Sequence, residues 1–434
     1  MLKHFIQIQW KAEYFLFCTV ETIARCIPPS WCYRLGEVIG DLAYRFAAKR
    51  RDAVVRNLQA AFGNEKSREE IVTLSREVFR RNIANVAASI KTATMPRDKI
   101  RKHFNIEGLD ELQPLIDSGK GIIAVLAHMG NWEILAQVGQ FASPDNPSGA
   151  LYRPLNNPYL DALIKKRRES QQNVTFSRRD KLIAPTKHLK EGGILGILTD
   201  QRVGRYGVLV PFFGRVTPYT PLPDLLKRRT DASLIGIAVI TDAPGRWTVR
   251  YFLPVSHDEK TNSADIAYMT EQVMRQSPAD CFWLHDRWKL SRKPFDRHGK
   301  HGFQSPTFFT KEVRPLHFAI AVTDESLFDR TTEVVDYLLK QQEDLHCHII
   351  STAPGFPEII SSVSRRITIL QDASPLEAMT KAGNQRSLFV VLTWDSPLEG
   401  LESEVPQVAL ASDHSFEKIT ADLGATPVSL NSEE

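Results

Sequence analysis

The chain has 434 residues, of which 42% are hydrophobic and 24% are charged. This composition is typical of a globular protein with room for two domains, and it excludes a fibrous or disordered chain. Five cysteines without metal-type spacing indicate a reducing compartment rather than a disulfide framework. The net charge of +4 conceals an asymmetry, because residues 1–300 carry +15 and residues 301–434 carry −11. The basic part therefore favours an anionic partner, whether phospholipid, nucleic acid or an acidic protein.

The segment from Phe5 to Pro28 is rich in apolar and aromatic residues but is interrupted by charged ones such as Lys11 and Glu21. It therefore lacks the uninterrupted run of about 18–20 apolar residues that a membrane-spanning helix requires. We expect residues 1–30 to form an amphipathic helix that lies in the interface plane of a membrane. The alternative is a helix that packs inside a soluble protein.

Helical spacing of apolar residues continues over residues 35–62, which predicts two helices or one kinked helix. Ser67 and Glu70 have the spacing of a capping box, so another helix is expected to begin there and to extend to about Ile90. The N-terminal quarter of the chain is therefore predicted to be helical.

After residue 120 the pattern changes to short apolar runs separated by basic helical segments. The predicted strands are residues 121–128, 192–201, 233–241 and 247–255, and the predicted helices are residues 159–170 and 223–231. Alternating strands and helices predict an α/β fold, with a sheet flanked by helices.

A linker rich in Pro, Gly and His at residues 293–306 precedes a second series of strands and helices. Its predicted strands are residues 317–323, 347–351, 367–370, 388–393 and 407–411, and its predicted helices are residues 326–342 and 415–423. We therefore divide the chain into a membrane-associating helix (1–30), a main α/β domain (31–300) and a small acidic α/β domain of unknown function (301–434).

His128 lies at the carboxyl end of the first predicted strand, where α/β sheets present ligands and catalytic groups. Glu133 follows five residues later in the first turns of a helix, forming a His-x-x-x-x-Glu motif. A hydrogen bond from one imidazole nitrogen to Glu133 would leave the other nitrogen as a general base. The alternative is a structural histidine near a helix start.

Five blocks of the sequence resemble the lipid A late acyltransferases (lauroyl and myristoyl acyltransferases), within the wider glycerolipid acyltransferase superfamily. The block that contains His128 is Ala-His-Met-Gly-Asn-Trp-Glu at residues 127–133. The other blocks, at residues 50–63, 152–161, 197–221 and 283–289, occur in the family order. The resemblance covers about residues 5–292 and leaves the acidic domain outside it.

The resemblance implies O-acyl transfer from acyl carrier protein, or from acyl-CoA, to a hydroxyl group of a lipid A precursor. It also implies an enzyme that acts at the cytoplasmic face of the bacterial inner membrane. His128, held by Glu133, would remove the hydroxyl proton, and Arg153 would stabilise the oxyanion. No metal and no cofactor are expected. For Arg153 the alternative is a surface arginine that binds phosphate.

Other residues of the matching blocks have candidate roles in substrate binding. Asn131 would orient a substrate or cap a helix, and Asp200 and Gln201 would hydrogen-bond a substrate or support the fold. Arg287 and Lys289 would contact substrate phosphates or form a structural ion pair.

Three basic runs, at residues 165–168, 178–179 and 227–229, suit anionic lipid or an acidic carrier protein, or are solvated helix faces. No aromatic-interleaved nucleic-acid motif accompanies them, so nucleic acid is not an expected partner. Two other functions stay open: acyl transfer to another glycerolipid or glycolipid, and an inactive protein that binds the membrane surface.

Overall fold

The computed structural model describes residues 2–169, 173–177, 182–203, 207–253, 262–285, 287–288, 316–341, 345–357, 363–371, 388–396, 398 and 407–423. The chain divides into two compact units. The first unit comprises Met1–Ala47, Arg76–Gln201 and Thr220–Phe282, and the second comprises Ala48–Ser75, Arg202–Tyr219 and Trp283–Glu434. The predicted domain boundaries at residues 30 and 300 stay predictions.

The helices preceding the acidic region are α1 (Leu2–Arg25), α2 (Pro29–Phe46), α3 (Ala48–Phe62), α4 (Arg68–Thr92), α5 (Arg97–Ile100), α6 (Leu109–Asp117), α7 (Leu135–Ala142), α8 (Pro158–Arg168), α9 (Ile183–Lys190), α10 (Leu222–Thr230) and α11 (Ser263–Arg275). The strands are β1 (Phe104–Glu107), β2 (Ile122–Leu126), β3 (Ser148–Tyr152), β4 (Val174–Ser177), β5 (Ile194–Leu198), β6 (Val208–Phe212), β7 (Arg215–Tyr219), β8 (Ser233–Ala243) and β9 (Arg246–Phe252).

The predicted helices and strands of this part are confirmed, within a few residues at each end. The two helices predicted over residues 35–62 are α2 and α3, which meet at Ala47. The Ser67 capping box is present: the Ser67 backbone N–H donates to Glu70 Oε2 at 2.8 Å, and the Glu70 N–H donates to Ser67 Oγ at 3.2 Å. The short strands β1, β3 and β4 and the β6–β7 pair were not predicted.

A seven-stranded sheet in the order β1-β9-β8-β2-β5-β3-β4 forms the centre of the first unit. Every neighbouring pair is parallel except β8 and β9. All five residues of β2 are buried, as the uninterrupted apolar run predicts for a central parallel strand. The mixed α/β class is therefore confirmed, and the carboxyl ends of β2, β5, β3 and β4 lie along one edge.

The two N-terminal helices both carry exposed apolar side chains. In α1 these are Phe5, Ile8, Phe15, Leu16, Val20 and Ile23. The opposite side of α1 contacts α8, where Asn157 Nδ2 donates to Glu13 Oε2 at 2.9 Å and Arg167 pairs with the buried Glu21. Among the described residues, no helix is both long enough and apolar enough to cross a membrane.

The second unit includes α3 and the antiparallel β6–β7 pair, whose side chains form an aromatic cluster. Phe62 of α3 lies 5.3 Å from Phe213 and 6.0 Å from Trp283 between ring centroids. Phe212 and Phe213 are fully buried, so they belong to this core.

The acidic region contributes a separate five-stranded parallel sheet to the second unit. Its elements are β10 (Leu316–Val322), α12 (Phe328–Gln341), β11 (Leu345–Ser351), β12 (Ile367–Gln371), β13 (Leu388–Trp394), β14 (Gln407–Leu410) and α13 (Phe416–Leu423). The strand order is β12-β11-β10-β13-β14, and one face packs against α12 and α13 around a buried apolar cluster. All five strands and both helices predicted there are confirmed.

Candidate active site

The register between β2 and β5 brings His128 and Asp200 together. Leu126 of β2 is paired with Leu198 of β5, and the two strands are parallel, so the residues two positions beyond them emerge side by side. His128 Nδ1 lies 2.8 Å from Asp200 Oδ1. The Asp200 side chain is 3% exposed, whereas that of His128 is 21% exposed and therefore reachable from solvent.

The predicted hydrogen bond between His128 and Glu133 is wrong. Glu133 lies in a short 3₁₀ turn (Trp132–Ile134), and its carboxylate faces the end of α8. There Arg168 Nε donates to Glu133 Oε2 at 3.0 Å and Arg168 Nη2 donates to Oε1 at 2.5 Å. The hydrogen-bond partner of His128 is therefore Asp200, which follows the neighbouring strand β5, and not the carboxylate of its own motif.

The surroundings of His128 favour its protonated form. Burial lowers the pKa of His128, but the charge and hydrogen bond of Asp200, followed by the charge of Glu133, raise it more, so that this pKa lies above the usual 6.5. Burial raises the pKa of Asp200, but the charge of His128 and its hydrogen bond lower this pKa more, so that it lies below the ordinary value. Asp200 is therefore ionised near neutral pH.

An ionised Asp200 fixes the tautomer of the neutral imidazole. Because a carboxylate only accepts hydrogen bonds, Nδ1 of His128 carries the proton and Nε2 carries the lone pair. Within the described part of the chain, Nε2 has no hydrogen-bond partner. This geometry is that of a general base with its accepting nitrogen available to a substrate.

The backbone around His128 is held by the segment that follows α11. The Phe282 N–H donates to the His128 carbonyl oxygen at 2.7 Å, and the Gly130 N–H donates to the Asp280 carbonyl oxygen at 3.0 Å. Gly130 has a φ of +55°, and a Cβ at this position would lie 2.3 Å from the Val239 carbonyl oxygen. Only glycine therefore fits this turn without strain.

Two aromatic rings flank the imidazole. The ring centroids of Trp132 and Phe282 lie 5.4 Å and 6.3 Å from that of His128. Trp132 approaches edge-on, at an interplanar angle of 77°. These contacts restrict rotation of the ring and give the site an apolar wall on one side.

The other predicted residues of the first unit have different environments. Arg153 follows β3 at the same edge, two strands from β2, which corresponds to about 9.5 Å between strand axes. Arg153 is exposed and has no ion pair or hydrogen bond to another described residue. Gln201 is also exposed, whereas Asn131 is buried and its Nδ2 donates to Thr92 Oγ1 at 3.0 Å. The Asn131 side chain thus connects the turn after β2 to Thr92 of α4, and it does not cap the 3₁₀ helix that follows.

Arg287 belongs to the second unit and is 2% exposed. Its Nη1 donates to Thr217 Oγ1 at 2.8 Å, and its guanidinium lies 4.7 Å from the centre of the Phe212 ring. Asn57 Nδ2 donates to the His285 carbonyl oxygen at 2.7 Å. The Arg287 contacts join the block at residues 197–221 to the last block, and the Asn57 contact joins the first block to the last. The other predicted residue of the closing block, Lys289, lies outside the described residues.

The basic runs are divided between internal contacts and solvent. Arg167 and Arg168 pair with Glu21 and Glu133, and Arg228 pairs with Asp224 at 3.0 Å. The alternative of solvated helix faces is therefore wrong for Arg167 and Arg168, whose side chains are 15% and 28% exposed, whereas it is confirmed for Arg228, whose side chain is 67% exposed. The run at residues 178–179 lies outside the described residues.

Sequence reasoning missed Arg168 as a partner of Glu133 and gave Asp200 only a substrate-binding or structural role. The signal for Asp200 was present, because two apolar strands both end in polar residues near the predicted edge. No cluster of three or more metal-ligating side chains occurs among the residues that the structure describes.

Comparison with known proteins relates residues 3–290 to one family. The model of the bacterial lipid A biosynthesis acyltransferase family matches this range. The Escherichia coli (strain K12) lipid A biosynthesis lauroyltransferase is 27% identical over 274 residues, which cover 61% of this chain and 87% of that protein. The lipid A biosynthesis palmitoleoyltransferase of the same strain is 26% identical over 267 residues, covering 60% of this chain and 85% of that protein.

A more distant relative has a different acceptor in its name. The phosphatidylinositol mannoside acyltransferase of Mycolicibacterium smegmatis (strain ATCC 700084 / mc(2)155) is 20% identical over 231 residues. These residues cover 49% of this chain and 72% of that protein. The matched family range ends before the sheet formed by β10–β14.

Proposed function

The chain belongs to the bacterial lipid A biosynthesis acyltransferase family, and we propose that it transfers a fatty acyl chain from a thioester to a hydroxyl group of a lipid A precursor. It is an O-acyltransferase. The observation that carries the proposed mechanism is the His128–Asp200 pair at the open edge of the sheet, with Nε2 available to an acceptor.

In the proposed reaction, His128 Nε2 removes the proton of the acceptor hydroxyl group as the oxygen attacks the thioester carbonyl carbon. Asp200 holds Nδ1 and stabilises the imidazolium that forms. The tetrahedral intermediate carries a negative oxygen, for which Arg153 is the proposed cationic partner. Its collapse breaks the C–S bond, and the departing thiolate takes up the proton from His128.

Glu133 has an electrostatic role in this proposal. Its negative charge raises the pKa of His128, and Arg168 holds the carboxylate in place through two hydrogen bonds. Arg168 also limits the effect, because its positive charge lowers the same pKa. The pair therefore adjusts the basicity of His128 and orders the turn that follows it.

We place the reaction at the cytoplasmic face of the inner membrane, with α1 in the interface plane. The support is the orientation of α1: six large apolar side chains are exposed on it, whereas Glu13 and Glu21 contact Asn157 and Arg167, at the start and in the last turn of α8. A helix packed in this way presents to water the side that lipid would cover. The proposed donor is acyl carrier protein, with acyl-CoA as the alternative carrier of the same thioester.

A second acceptor class is supported by one comparison, because the mycobacterial relative is named for a phosphatidylinositol mannoside. An inactive binding protein is disfavoured, since His128 retains an ordered carboxylate partner and an accessible face.

The proposed function is tested by offering the purified protein an acyl-carrier-protein thioester with either a tetra-acylated lipid A precursor or lysophosphatidate. We expect transfer to the lipid A precursor. In cells that lack the protein, we expect mass spectrometry to show lipid A with one acyl chain fewer. Transfer to lysophosphatidate alone would assign the chain to glycerolipid acceptors instead, and transfer to neither would contradict the proposal.

A further inference from the structure

Helix α2 exposes a continuous apolar stripe that the proposed reaction does not use. The exposed side chains are Trp31, Leu35, Val38, Ile39, Leu42 and Phe46. Their spacing places them on one face of the helix, along about 22 Å of its length. Trp31 is 66% exposed and Phe46 is 83% exposed. Contiguous apolar patches of this kind mark interaction surfaces.

The packing of α2 against α4 prevents the helix from turning this stripe inward. A Cβ at Gly36 would lie 2.5 Å from the Ala84 Cα, and a Cβ at Gly40 would lie 2.7 Å from the Arg80 Cα. The two helices therefore touch backbone to backbone on the side opposite the stripe. The exposed face is a fixed feature of the fold, since rotation of α2 would require side chains to enter this contact.

The charged residues of α2 are arranged by sign. The carboxylates are neutralised by α4: Glu37 Oε1 lies 3.2 Å from Arg80 Nη2, and Asp41 Oδ1 lies 2.7 Å from Arg76 Nε. Arg34 and Arg45 are exposed, and neither has an ion pair or hydrogen bond within the described part of the chain. Both arginines lie beside the stripe in helical projection, so this surface offers positive charge to a partner.

We infer that this face of α2 is a second membrane-contact surface, which inserts its apolar side chains into an anionic phospholipid bilayer while Arg34 and Arg45 contact lipid phosphates. An apolar stripe with flanking cations is the pattern of an interfacial helix. The surface continues that of α1, because α2 begins four residues after α1 ends and Cys32 Sγ lies 4.0 Å from the Ala24 carbonyl oxygen. The inference rests on the proposed membrane site of action but adds a helix beyond residues 1–30.

The experiment measures binding of the full-length protein to vesicles of phosphatidylcholine, with or without phosphatidylglycerol. Leu42→Gln with Phe46→Gln is expected to weaken binding to both vesicle types about 10-fold or more, because apolar burial is lost. Arg34→Gln with Arg45→Gln is expected to weaken binding about 20-fold to anionic vesicles only, and high salt is expected to remove this difference. Ile183→Gln is the matched control, since Ile183 of α9 is apolar and 71% exposed but lies outside the stripe.

Two results would overturn the inference. One is vesicle binding by both α2 variants that equals that of Ile183→Gln. The other is conversion of a dimer to a monomer by Leu42→Gln with Phe46→Gln at unchanged vesicle binding, which would assign the face to a second copy of the chain. Acyl transfer to detergent-dispersed acceptor is measured in parallel. If the unaltered protein shows no transfer, the proposed function is contradicted. If the α2 variants retain transfer, the loss of vesicle binding is an effect on membrane contact alone.

Discussion

His128 Nδ1 and Asp200 Oδ1 lie 2.8 Å apart although 72 residues separate them in the sequence, because β2 and β5 are parallel neighbours with their ends in register. This pairing makes Asp200 the residue that orients the proposed base. Glu133, the carboxylate of the His-x-x-x-x-Glu motif, is bonded to Arg168 instead.

The first prediction concerns Asp200. Asp200→Asn keeps the size of the side chain but removes the charge that stabilises the imidazolium, so kcat is expected to fall about 100-fold or more. The measurement is acyl transfer at saturating acceptor, with folding checked by circular dichroism. Asp110→Asn, an exposed position in α6, is the control and is expected to retain full activity. An Asp200→Asn enzyme as active as this control would remove Asp200 from the mechanism.

The second prediction concerns pH. The neutral imidazole is the base, and its surroundings raise the pKa of His128 above 6.5, so kcat/KM is expected to rise with pH through an apparent pKa above 6.5. Glu133→Gln removes one of the charges that raise this pKa, so the rise is expected at lower pH. A pH–rate profile of both enzymes measures this shift. A shift toward higher pH would contradict the proposed effect of the Glu133 charge on His128.

The sequence predicted most helices and strands near the site, but it did not predict which side chains meet there. The strand before His128 was predictable because β2 is apolar throughout, and its end located the site edge. The partner of His128 was not predictable from local spacing, because strand order and register decide which side chains meet. Helical periodicity likewise located α2 but did not show which of its faces is covered, since that depends on the close approach of Gly36 and Gly40 to α4.

The third prediction tests the Arg168–Glu133 pair. The two side chains are only 28% and 27% exposed, so Arg168→Met is expected to destabilise the fold by about 1–3 kcal/mol by leaving the carboxylate without its partner. The double variant with Glu133→Gln is expected to recover part of this loss. Denaturant unfolding in a double-mutant cycle measures the coupling.

The control for that cycle is Lys187 with Glu191, an exposed pair at the end of α9 whose charged atoms lie 3.7 Å apart. Its coupling is expected to be about 0.3–0.5 kcal/mol. Equal coupling energies in the two cycles would mean that Arg168 does not hold Glu133.

The fourth prediction concerns the turn after His128. Gly130→Ala places a Cβ against the Val239 carbonyl oxygen at a positive φ, and the expected cost is about 2 kcal/mol or more together with reduced acyl transfer. Gly119→Ala is the matched control, because Gly119 also has a positive φ but nothing within 4 Å of its Cβ position. The control is expected to lose only about 1 kcal/mol. Thermal unfolding and acyl transfer of the two variants separate the effect of crowding from that of the positive φ. Equal losses of stability in both variants would contradict the predicted clash with the Val239 carbonyl oxygen.

The role of His128 as the general base is tested most directly by measuring acyl transfer to the lipid A precursor by His128→Ala and by His103→Ala. His103 Nδ1 lies 2.8 Å from the Gly245 carbonyl oxygen, so this variant removes an imidazole that lies outside the site. We expect His128→Ala to lose nearly all transfer while remaining folded and His103→Ala to retain it. Undiminished transfer by His128→Ala would show that His128 is not the general base.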